Sequence, residues 1–200
     1  MAIAVSSEGA VAAAVQIHTF RRNVSSQMTI ENHMDKVPLN TIVGLKYALV
    51  EVERRWLVEP ATVGDLAEVP YRLIEDLYVS GSRLRLRKIT EPGGTMLFKF
   101  GKKYGKRSVL SEPITNLYLT EGEYLRLAGL VGIAASKRRY TIEDGSLDVY
   151  QRADSQLMIF EREFDDEAAA QRYRPPVFVT REITGDPAFS GHSLASGRAG

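Results

Sequence analysis

The 200-residue chain contains no cysteine, which excludes disulfides and thiolate metal sites. Its three histidines lie far apart in sequence, so a histidine-rich zinc site is not expected. No apolar run approaches the length of a transmembrane span. The 26 Lys and Arg nearly balance the 25 Asp and Glu, so no overall field recruits nucleic acid or a membrane surface. Any polyanion site must therefore be a local cluster of bases, and any metal site must use carboxylates, which suit Mg²⁺, Mn²⁺ or Ca²⁺.

The first 42 residues differ in composition from the rest of the chain. Ala, Val and Ser are frequent there, and acids are sparse before Glu31. We predict a poorly ordered N-terminal extension over residues 1–42, with a short helix near residues 9–16. No positive segment precedes the apolar start, which argues against a secretory signal. Arg21 and Arg22 leave an organelle presequence open, but we expect a cytoplasmic protein. Residues 43–200 are enough for one domain with a sizeable core.

Alternating side chains predict mainly β-strands in this domain. In residues 51–58, the charged side chains of Glu51, Glu53 and Arg55 alternate with a largely apolar set that includes Trp56. Successive side chains of a strand point to opposite faces, so one face is charged and the other is apolar. The same pattern returns in at least four later segments, and further strands fill the spaces between them. The other predicted strands are residues 77–89, 95–104, 109–118, 137–142, 147–151, 157–164 and 177–183.

Two or three helices accompany these strands. We predict helices over residues 61–76, over residues 120–130 and over residues 166–173. Thr120 and Glu123 begin the second of these with the spacing of a capping box. Turns are predicted at Glu91-Pro92-Gly93-Gly94 and Asp154-Ser155, and a hairpin turn is predicted at Asp144-Gly145. About eight strands in hairpin order indicate an antiparallel α+β fold, either a barrel or a strongly curved sheet.

The charged faces allow two interpretations. In an open sheet they would be ordinary solvated surface. In a closed barrel the apolar faces would pack outward under helices and the charges would line a tunnel. Burying unpaired charges costs several kcal/mol each, so such a tunnel must be wet and must accept a charged guest. The acids are Glu51, Glu53, Asp148, Glu161 and Glu163. The bases are Arg55, Arg83, Arg85, Arg87, Lys99, Lys103, Lys137 and Arg139.

Acids and bases in one cavity favour a metal–polyphosphate complex as the guest. Clustered carboxylates suit a hard divalent cation, and clustered Arg and Lys suit phosphate oxygens, which Arg can bind in a bidentate manner. A metal could orient or activate water for attack on a terminal phosphorus, while the bases offset charge on the phosphoryl oxygens.

The residues 51–55 (Glu-Val-Glu-Arg-Arg) resemble the ExExK strand of the CYTH superfamily, the triphosphate tunnel metalloenzymes. The resemblance covers about residues 46–195 and implies an eight-stranded antiparallel β-barrel, a tunnel with helices packed on its outside, which binds triphosphate with Mg²⁺ or Mn²⁺. It continues through Arg83-Leu84-Arg85-Leu86-Arg87, the Lys99–Lys103 strand, Lys137-Arg138-Arg139-Tyr140, Leu147-Asp148-Val149, Glu161-Arg162-Glu163-Phe164 and Glu182-Ile183-Thr184-Gly185-Asp186.

The resemblance also implies roles for individual residues. The implied metal ligands are Glu51, Glu53, Asp148, Glu161 and Glu163. The implied phosphate-binding residues are Arg55, Arg85, Arg87, Lys103, Lys137 and Arg139, with Arg83 and Lys99 on the same faces. The implied catalytic residues are Glu51, Glu53, Arg55 and Asp148. Asp186 would lie on a C-terminal segment that closes the tunnel.

The sequence departs from the family pattern at several positions. Arg55 replaces the Lys of ExExK; it keeps the charge but cannot act as a general base at neutral pH. Glu112 is the one candidate for an acid on the strand after the Lys strand. Phe189 and Gly191 occupy places where family members often have Tyr and Asn, so we expect looser closure of the tunnel.

The predicted function is metal-dependent hydrolysis of the terminal phosphoanhydride of inorganic triphosphate or short polyphosphate. The partner would be this small molecule, with no nucleic acid or membrane, and a homodimer is left open. One alternative is an adenylate cyclase or a hydrolase of an organic triphosphate such as thiamine triphosphate, although the sequence shows no clear base-stacking set. Another alternative is a polyphosphate- or nucleotide-binding module without turnover, for which Arg55 leaves room.

Overall fold

The computed structural model describes residues 45–151 and 156–197. The predicted N-terminal extension and the Asp154-Ser155 turn lie outside these residues. Two short 3-10 helices occupy Pro60–Thr62 and Pro187–Phe189. Among the described residues, the helices are too short or too polar to cross a membrane.

Nine strands and three α-helices make up the rest of the described structure. In chain order they are β1 (Leu49–Val58), β2 (Arg72–Val79), β3 (Leu84–Thr90), β4 (Met96–Lys103), β5 (Ser111–Leu119), α1 (Glu121–Leu127), β6 (Gly132–Ile142), β7 (Gly145–Gln151), β8 (Gln156–Phe164), α2 (Glu167–Arg172), β9 (Val179–Glu182) and α3 (Gly191–Ala195).

Eight of these strands close into an antiparallel barrel. Their hydrogen-bonded order is β5-β4-β3-β2-β6-β7-β8-β1, and β1 also pairs with β5. Closure depends on β1, because its residues Leu49–Val52 pair with β5 while its residues Val52–Val58 pair with β8. β9 adds to β1 at Trp56–Val58, beyond the residues that pair with β5. The predicted α+β barrel is therefore confirmed.

The main apolar cluster lies on the outside of the barrel. Trp56 is only 2% exposed, and its ring centroid lies 5.9 Å from that of Phe160 and 5.8 Å from that of Tyr173. Tyr173 directly follows α2 and also contacts Phe164, so α2 covers this face as predicted. The buried members of the cluster are Trp56, Val58, Tyr140, Leu147, Val149, Met158 and Phe160. Because the apolar side chains of these strands face outward, the intervening side chains face the interior.

The predicted helix over residues 61–76 is wrong. Residues Pro60–Thr62 form one 3-10 turn, and β2 begins at Arg72. β2 pairs with β3 on one edge and β6 on the other, so the barrel needs a strand at this position. Its short apolar pattern fits helical and strand periods almost equally well. The chain then turns back at Gly81, whose φ of 64° suits glycine.

Helix α1 begins with the capping box that the sequence predicts. The Glu123 N–H donates to Thr120 Oγ1 at 3.3 Å, and the Thr120 N–H donates to the Glu123 carboxylate at 2.7 Å. The helix ends at Leu127, three residues before the predicted end. Tyr124 packs on Phe98 of β4, with ring centroids 4.7 Å apart. The helix therefore covers the outside of the barrel near β4.

Candidate active site

Strand register brings the predicted site residues together on the inner face of the barrel, with the exception of Arg83. Glu53 lies opposite Glu163, and Arg55 lies opposite Glu161, in the pairing of β1 with β8. The inner-face residues of the prediction are Glu51, Glu53, Arg55, Arg85, Arg87, Lys99, Lys103, Lys137, Arg139, Asp148, Glu161 and Glu163. The ion pairs described below connect them across neighbouring strands.

Arg83 is placed elsewhere. It precedes β3, its side chain is exposed, and its Nη1 donates to the carbonyl of Tyr104 at 2.8 Å. The alternation with Arg85 and Arg87 suggested a shared face, but that alternation applies only within the strand. Arg83 already belongs to the turn that follows β2, so it does not join the interior cluster.

Asp148 lies at the centre of the largest group of charges and is fully buried. Its carboxylate accepts a bond from Lys137 Nζ at 2.5 Å and two from Arg139 Nε and Nη2, at 2.6 and 2.7 Å. Arg139 Nη2 also donates to Glu161 at 3.0 Å. The other oxygen of Glu161 lies 3.5 Å from Arg55 Nε. These contacts join β6, β7, β8 and β1 through one network of alternating acids and bases.

A second group surrounds Asp76 of β2, a residue that sequence reasoning missed. Asp76 is 6% exposed. Arg87 Nε and Nη2 donate to its two oxygens at 2.6 and 2.8 Å, and Arg85 Nε lies 3.7 Å from the carboxylate. The alternation of Ile74, Asp76 and Tyr78 could have revealed this acid, but the helical interpretation of the segment concealed it.

A third group forms where β4 and β5 meet β1. Lys103 Nζ donates to Glu51 at 2.9 Å and lies 3.5 Å from Glu112. Glu112 pairs in register with Glu51, which places it on the inner face and supports it as the acid on the strand after the Lys strand. Lys99 Nζ lies 5.1 Å from the ring centroid of Tyr118. The positive charge of Lys99 also lowers the pKa of Glu163, which offsets part of the rise that other causes produce.

The interior shifts the pKa values of two neighbouring carboxylates, Glu161 and Glu53, in opposite directions. Burial alone would raise the pKa of Glu161, but Arg139, Lys137, Arg55 and Lys103 lower it well below its ordinary value. The pKa of Glu53 is instead raised, first by burial and then by the charge of Glu161. Among the described residues, Glu53 makes no ion pair within 4 Å.

Glu163 is more exposed than Glu53, but partial desolvation and then the charge of Glu161 raise its pKa in the same direction. Glu161 is therefore well compensated by bases, whereas Glu53 and Glu163 would be stabilised by an added cation. In the parts of the chain that the structure describes, no three Asp, Glu or His side chains stand close enough together to hold a metal by themselves.

A further interior residue, Tyr150, was missed by sequence reasoning. Tyr150 follows Asp148 on the inner face of β7, and Lys137 Nζ lies 5.4 Å from its ring centroid. Burial, followed by the charge of Asp148, raises the pKa of Tyr150. Burial also lowers the pKa of Lys137, although Asp148 opposes this shift. The alternation within residues 147–151 was the available sequence signal for Tyr150.

The C-terminal segment reaches the interior through Arg55. The Ile183 N–H donates to the carbonyl of Arg55 at 2.8 Å. Asp186 then accepts the Ala188 N–H at 3.0 Å and starts the second 3-10 helix. Through this turn, the carbonyl of Phe189 accepts a bond from Arg55 Nη1 at 2.8 Å. Asp186 thus caps a turn in the C-terminal segment that we predicted to close the tunnel.

Close packing of Gly191 on Tyr78 leads to a prediction about this segment. A Cβ at Gly191 would overlap the Tyr78 hydroxyl, whereas one at Gly122 would meet open space. We expect Gly191→Val to displace residues 184–197 and to speed their cleavage by a broad-specificity protease. Gly122→Ala is the control and should be cleaved at the wild-type rate. An unchanged rate for Gly191→Val would show that the segment is not held at this point.

Comparison with known proteins supports one family. No protein-family model matches the chain. A curated inorganic triphosphatase from Nitrosomonas europaea is 34% identical over 153 residues, which cover 74% of this chain and 97% of the relative. The crystal structure of an inorganic triphosphatase has a TM-score of 0.46 at 26% identity, with 72% of this chain and 93% of that chain covered. A putative adenylate cyclase structure from Bacillus halodurans has a TM-score of 0.44 at 17% identity, with 62% and 86% covered. On the identity and coverage of the curated relative, the chain belongs to the inorganic triphosphatase family.

Proposed function

We propose that this protein is a metal-dependent triphosphatase that hydrolyses the terminal phosphoanhydride bond of inorganic triphosphate or short polyphosphate inside its barrel. The proposal places it in the CYTH superfamily of triphosphate tunnel metalloenzymes. One observation carries it: every strand of the barrel contributes at least one charged side chain to the interior. The family relationship to an inorganic triphosphatase supports the same conclusion.

The bases would hold the phosphates. Within the described residues, Arg55 Nε is buried and makes no hydrogen bond, although a carboxylate oxygen of Glu161 lies 3.5 Å away. A phosphate oxygen would satisfy it, and Arg side chains suit such oxygens because they can donate two parallel bonds. We assign phosphate binding to Arg55, Arg85, Arg87, Lys99, Lys103, Lys137 and Arg139. Arg83 is left out because it lies on the turn before β3.

The carboxylates divide into two groups. Glu51, Glu53 and Glu163 would hold Mg²⁺ or Mn²⁺, which suits the raised pKa values of Glu53 and Glu163. Glu51 Oε2 accepts a bond from Lys103, so Glu51 would offer its other oxygen, Oε1, to the metal. Protein-bound Mg²⁺ usually combines one or two carboxylates with substrate phosphate oxygens, so a preformed cage of three acids is not required. Asp148 and Glu161 have their oxygens bonded to bases. We assign them to holding those bases in place.

Each group would make a distinct contribution to hydrolysis. When bound, the metal would supply an activated water and offset charge on the triphosphate. The bases orient the phosphate chain and stabilise charge on its oxygens in the transition state. Arg55 stays protonated because its pKa is raised, so it cannot accept the proton of the attacking water.

Phosphate release from a panel of triphosphates tests the proposal. The panel contains tripolyphosphate, longer polyphosphates, ATP and thiamine triphosphate, each with Mg²⁺ or Mn²⁺. We expect fastest release from tripolyphosphate and none without metal.

Two variants should lose this activity. Glu51→Gln should lower kcat/KM by about 100-fold or more, as removal of a transition-state contact does, and Glu161→Gln should cause a loss at least as large. Glu75→Gln, on the outer face of β2, should behave as wild type.

Other results of this assay would assign another function. Cyclic AMP formed from ATP would indicate a cyclase, and preferred release from thiamine triphosphate would indicate an organic triphosphatase. Tight binding of tripolyphosphate without release over hours would indicate a binding module. No release from any substrate would contradict the proposal. The cytoplasmic location and the absence of nucleic-acid and membrane partners stay predictions, and a homodimer stays open.

A further inference from the structure

Asp76 is a buried acid in the part of the barrel where the bases would hold a polyanion. It lies opposite Arg87 in the pairing of β2 with β3, and next to Arg85 on the same face. Burial alone would raise the pKa of Asp76, but the bonds from Arg87 and the charges of Arg85 and Lys137 lower it on balance. The side chain is therefore ionised at neutral pH and places a negative charge among the phosphate-binding groups.

A negative charge at this place opposes the binding of triphosphate in the ground state, so it needs a compensating role. Its geometry provides one. Both oxygens of Asp76 are bonded to Arg87, through Nε and Nη2, and such a bidentate contact fixes the plane of a guanidinium group. The two side chains start from paired positions of adjacent strands, so the contact is short and well defined. The remaining N–H groups of Arg87 are then held in one direction.

We propose that Asp76 is a positioning residue that fixes the guanidinium of Arg87, and helps to orient Arg85, for the phosphates of the bound triphosphate. This inference rests on the proposed function. It also separates Asp76 from the acids that would hold metal, because both of its oxygens are already bonded to Arg87. Asp76 acts on the substrate only through Arg87 and Arg85.

A positioning role predicts opposite effects on binding and on turnover. Removing the charge of Asp76 lowers the repulsion of a polyanion, so ground-state binding should become tighter or stay the same. Loss of the fixed guanidinium plane should weaken contacts that matter most in the transition state, and such a loss appears in kcat. A residue that only stabilises the fold would lower the amount of active enzyme without tightening substrate binding.

Kinetics of three variants test the inference. For Asp76→Asn we expect kcat to fall about 10- to 100-fold, KM for tripolyphosphate to fall or stay unchanged, and the Mg²⁺ concentration for half-activation to stay unchanged. Calorimetric titration with tripolyphosphate should show binding at least as tight as in wild type, with one site per folded chain. Arg87→Lys keeps the charge balance but cannot form the bidentate pair, so it should also lower kcat more than it raises KM.

The control is Glu75→Gln, which lies next to Asp76 on β2 but faces outward and pairs with Lys88 at 2.5 Å. It should keep wild-type kcat and KM. If Asp76→Asn keeps the kcat and KM of this control, the inference is wrong but the proposed function stands. The same holds if Asp76→Asn raises KM without changing kcat, or if it shifts the Mg²⁺ concentration for half-activation. If Asp76→Asn does not fold, Arg87→Lys with wild-type kcat overturns it. Wild-type protein that hydrolyses no triphosphate overturns the proposed function and this inference with it.

Discussion

Replacing Glu53 by Gln is expected to abolish triphosphate hydrolysis and at the same time to stabilise the metal-free protein. Glu53 is half-buried on the inner face of β1. Desolvation and the charges of Glu161 and Glu51 raise its pKa, and the charges of Lys103 and Arg55 offset only part of this rise. Gln keeps the shape of the side chain and removes this repulsion. Activity should fall by about 100-fold or more, because the carboxylate we assign to the metal is lost.

The stability gain should depend on pH in a defined direction. The folded-state pKa of Glu53 is raised above its ordinary value of 4.5, so its ionisation destabilises the fold at pH values above the raised pKa. This penalty is lost as the pH falls through the raised pKa towards 4.5. The melting temperature of Glu53→Gln without metal should therefore exceed that of wild type at neutral pH, by about 2–4 °C for each kcal/mol. The difference should vanish in acid.

Mg²⁺ should reverse the order of the two melting temperatures, so that wild type melts above Glu53→Gln. Mg²⁺ binds the folded wild type and so raises its melting temperature, but it should stabilise Glu53→Gln much less. The measurement is a series of thermal melts of both proteins between acidic and neutral pH, with a chelator or with Mg²⁺. A variant that is less stable than wild type without metal, or equal stabilisation of both proteins by Mg²⁺, would contradict the assignment of Glu53.

Replacing Asp148 by Ala is expected to cause the largest loss of stability. Asp148 is the acid to which both Lys137 and Arg139 are bonded, and all three side chains are buried or nearly so. Removing one partner of a buried ion pair leaves an uncompensated charge and costs about 3–5 kcal/mol. Tripolyphosphate should recover part of this loss, because the anion gives the two bases a new partner and binds only the folded state.

Urea unfolding with and without tripolyphosphate measures both effects. The matched control is Glu91→Ala, which removes the exposed ion pair with Arg72 and should cost less than about 1 kcal/mol. Tripolyphosphate should stabilise Asp148→Ala by more than it stabilises wild type. A loss as small as that of the control, or equal stabilisation by tripolyphosphate, would mean that Asp148 does not hold the bases of a phosphate site.

Much of the barrel and of its charged interior could be predicted because strand alternation encodes which face a side chain occupies. The pattern of Glu51, Glu53 and Arg55 placed three interior residues correctly, and the outward Trp56 is buried in the core as expected. Neither conclusion needed knowledge of the strand order. The resemblance to a known family then separated a closed barrel from an open sheet.

The wrong predictions concern features that depend on contacts between strands distant in sequence or on where a strand begins. β2 was interpreted as helix because its short apolar pattern fits both periods, and its two strand partners decide the outcome. Arg83 was assigned to the interior because alternation was extended past the start of β3. The opposite pKa shifts of Glu53 and Glu161 depend on bases from other strands, such as Arg139, 22 positions from Glu161.

Crystals of the protein grown with Mn²⁺ and a non-hydrolysable imido analogue of triphosphate offer the most direct test that the interior binds a metal–triphosphate complex. We predict an anomalous Mn²⁺ peak beside Glu51, Glu53 and Glu163, with the analogue's phosphates on the side of Arg87 and Arg139, inside the barrel. Analogue density confined to the outer surface of the barrel, with neither metal nor anion in the interior, would contradict the account.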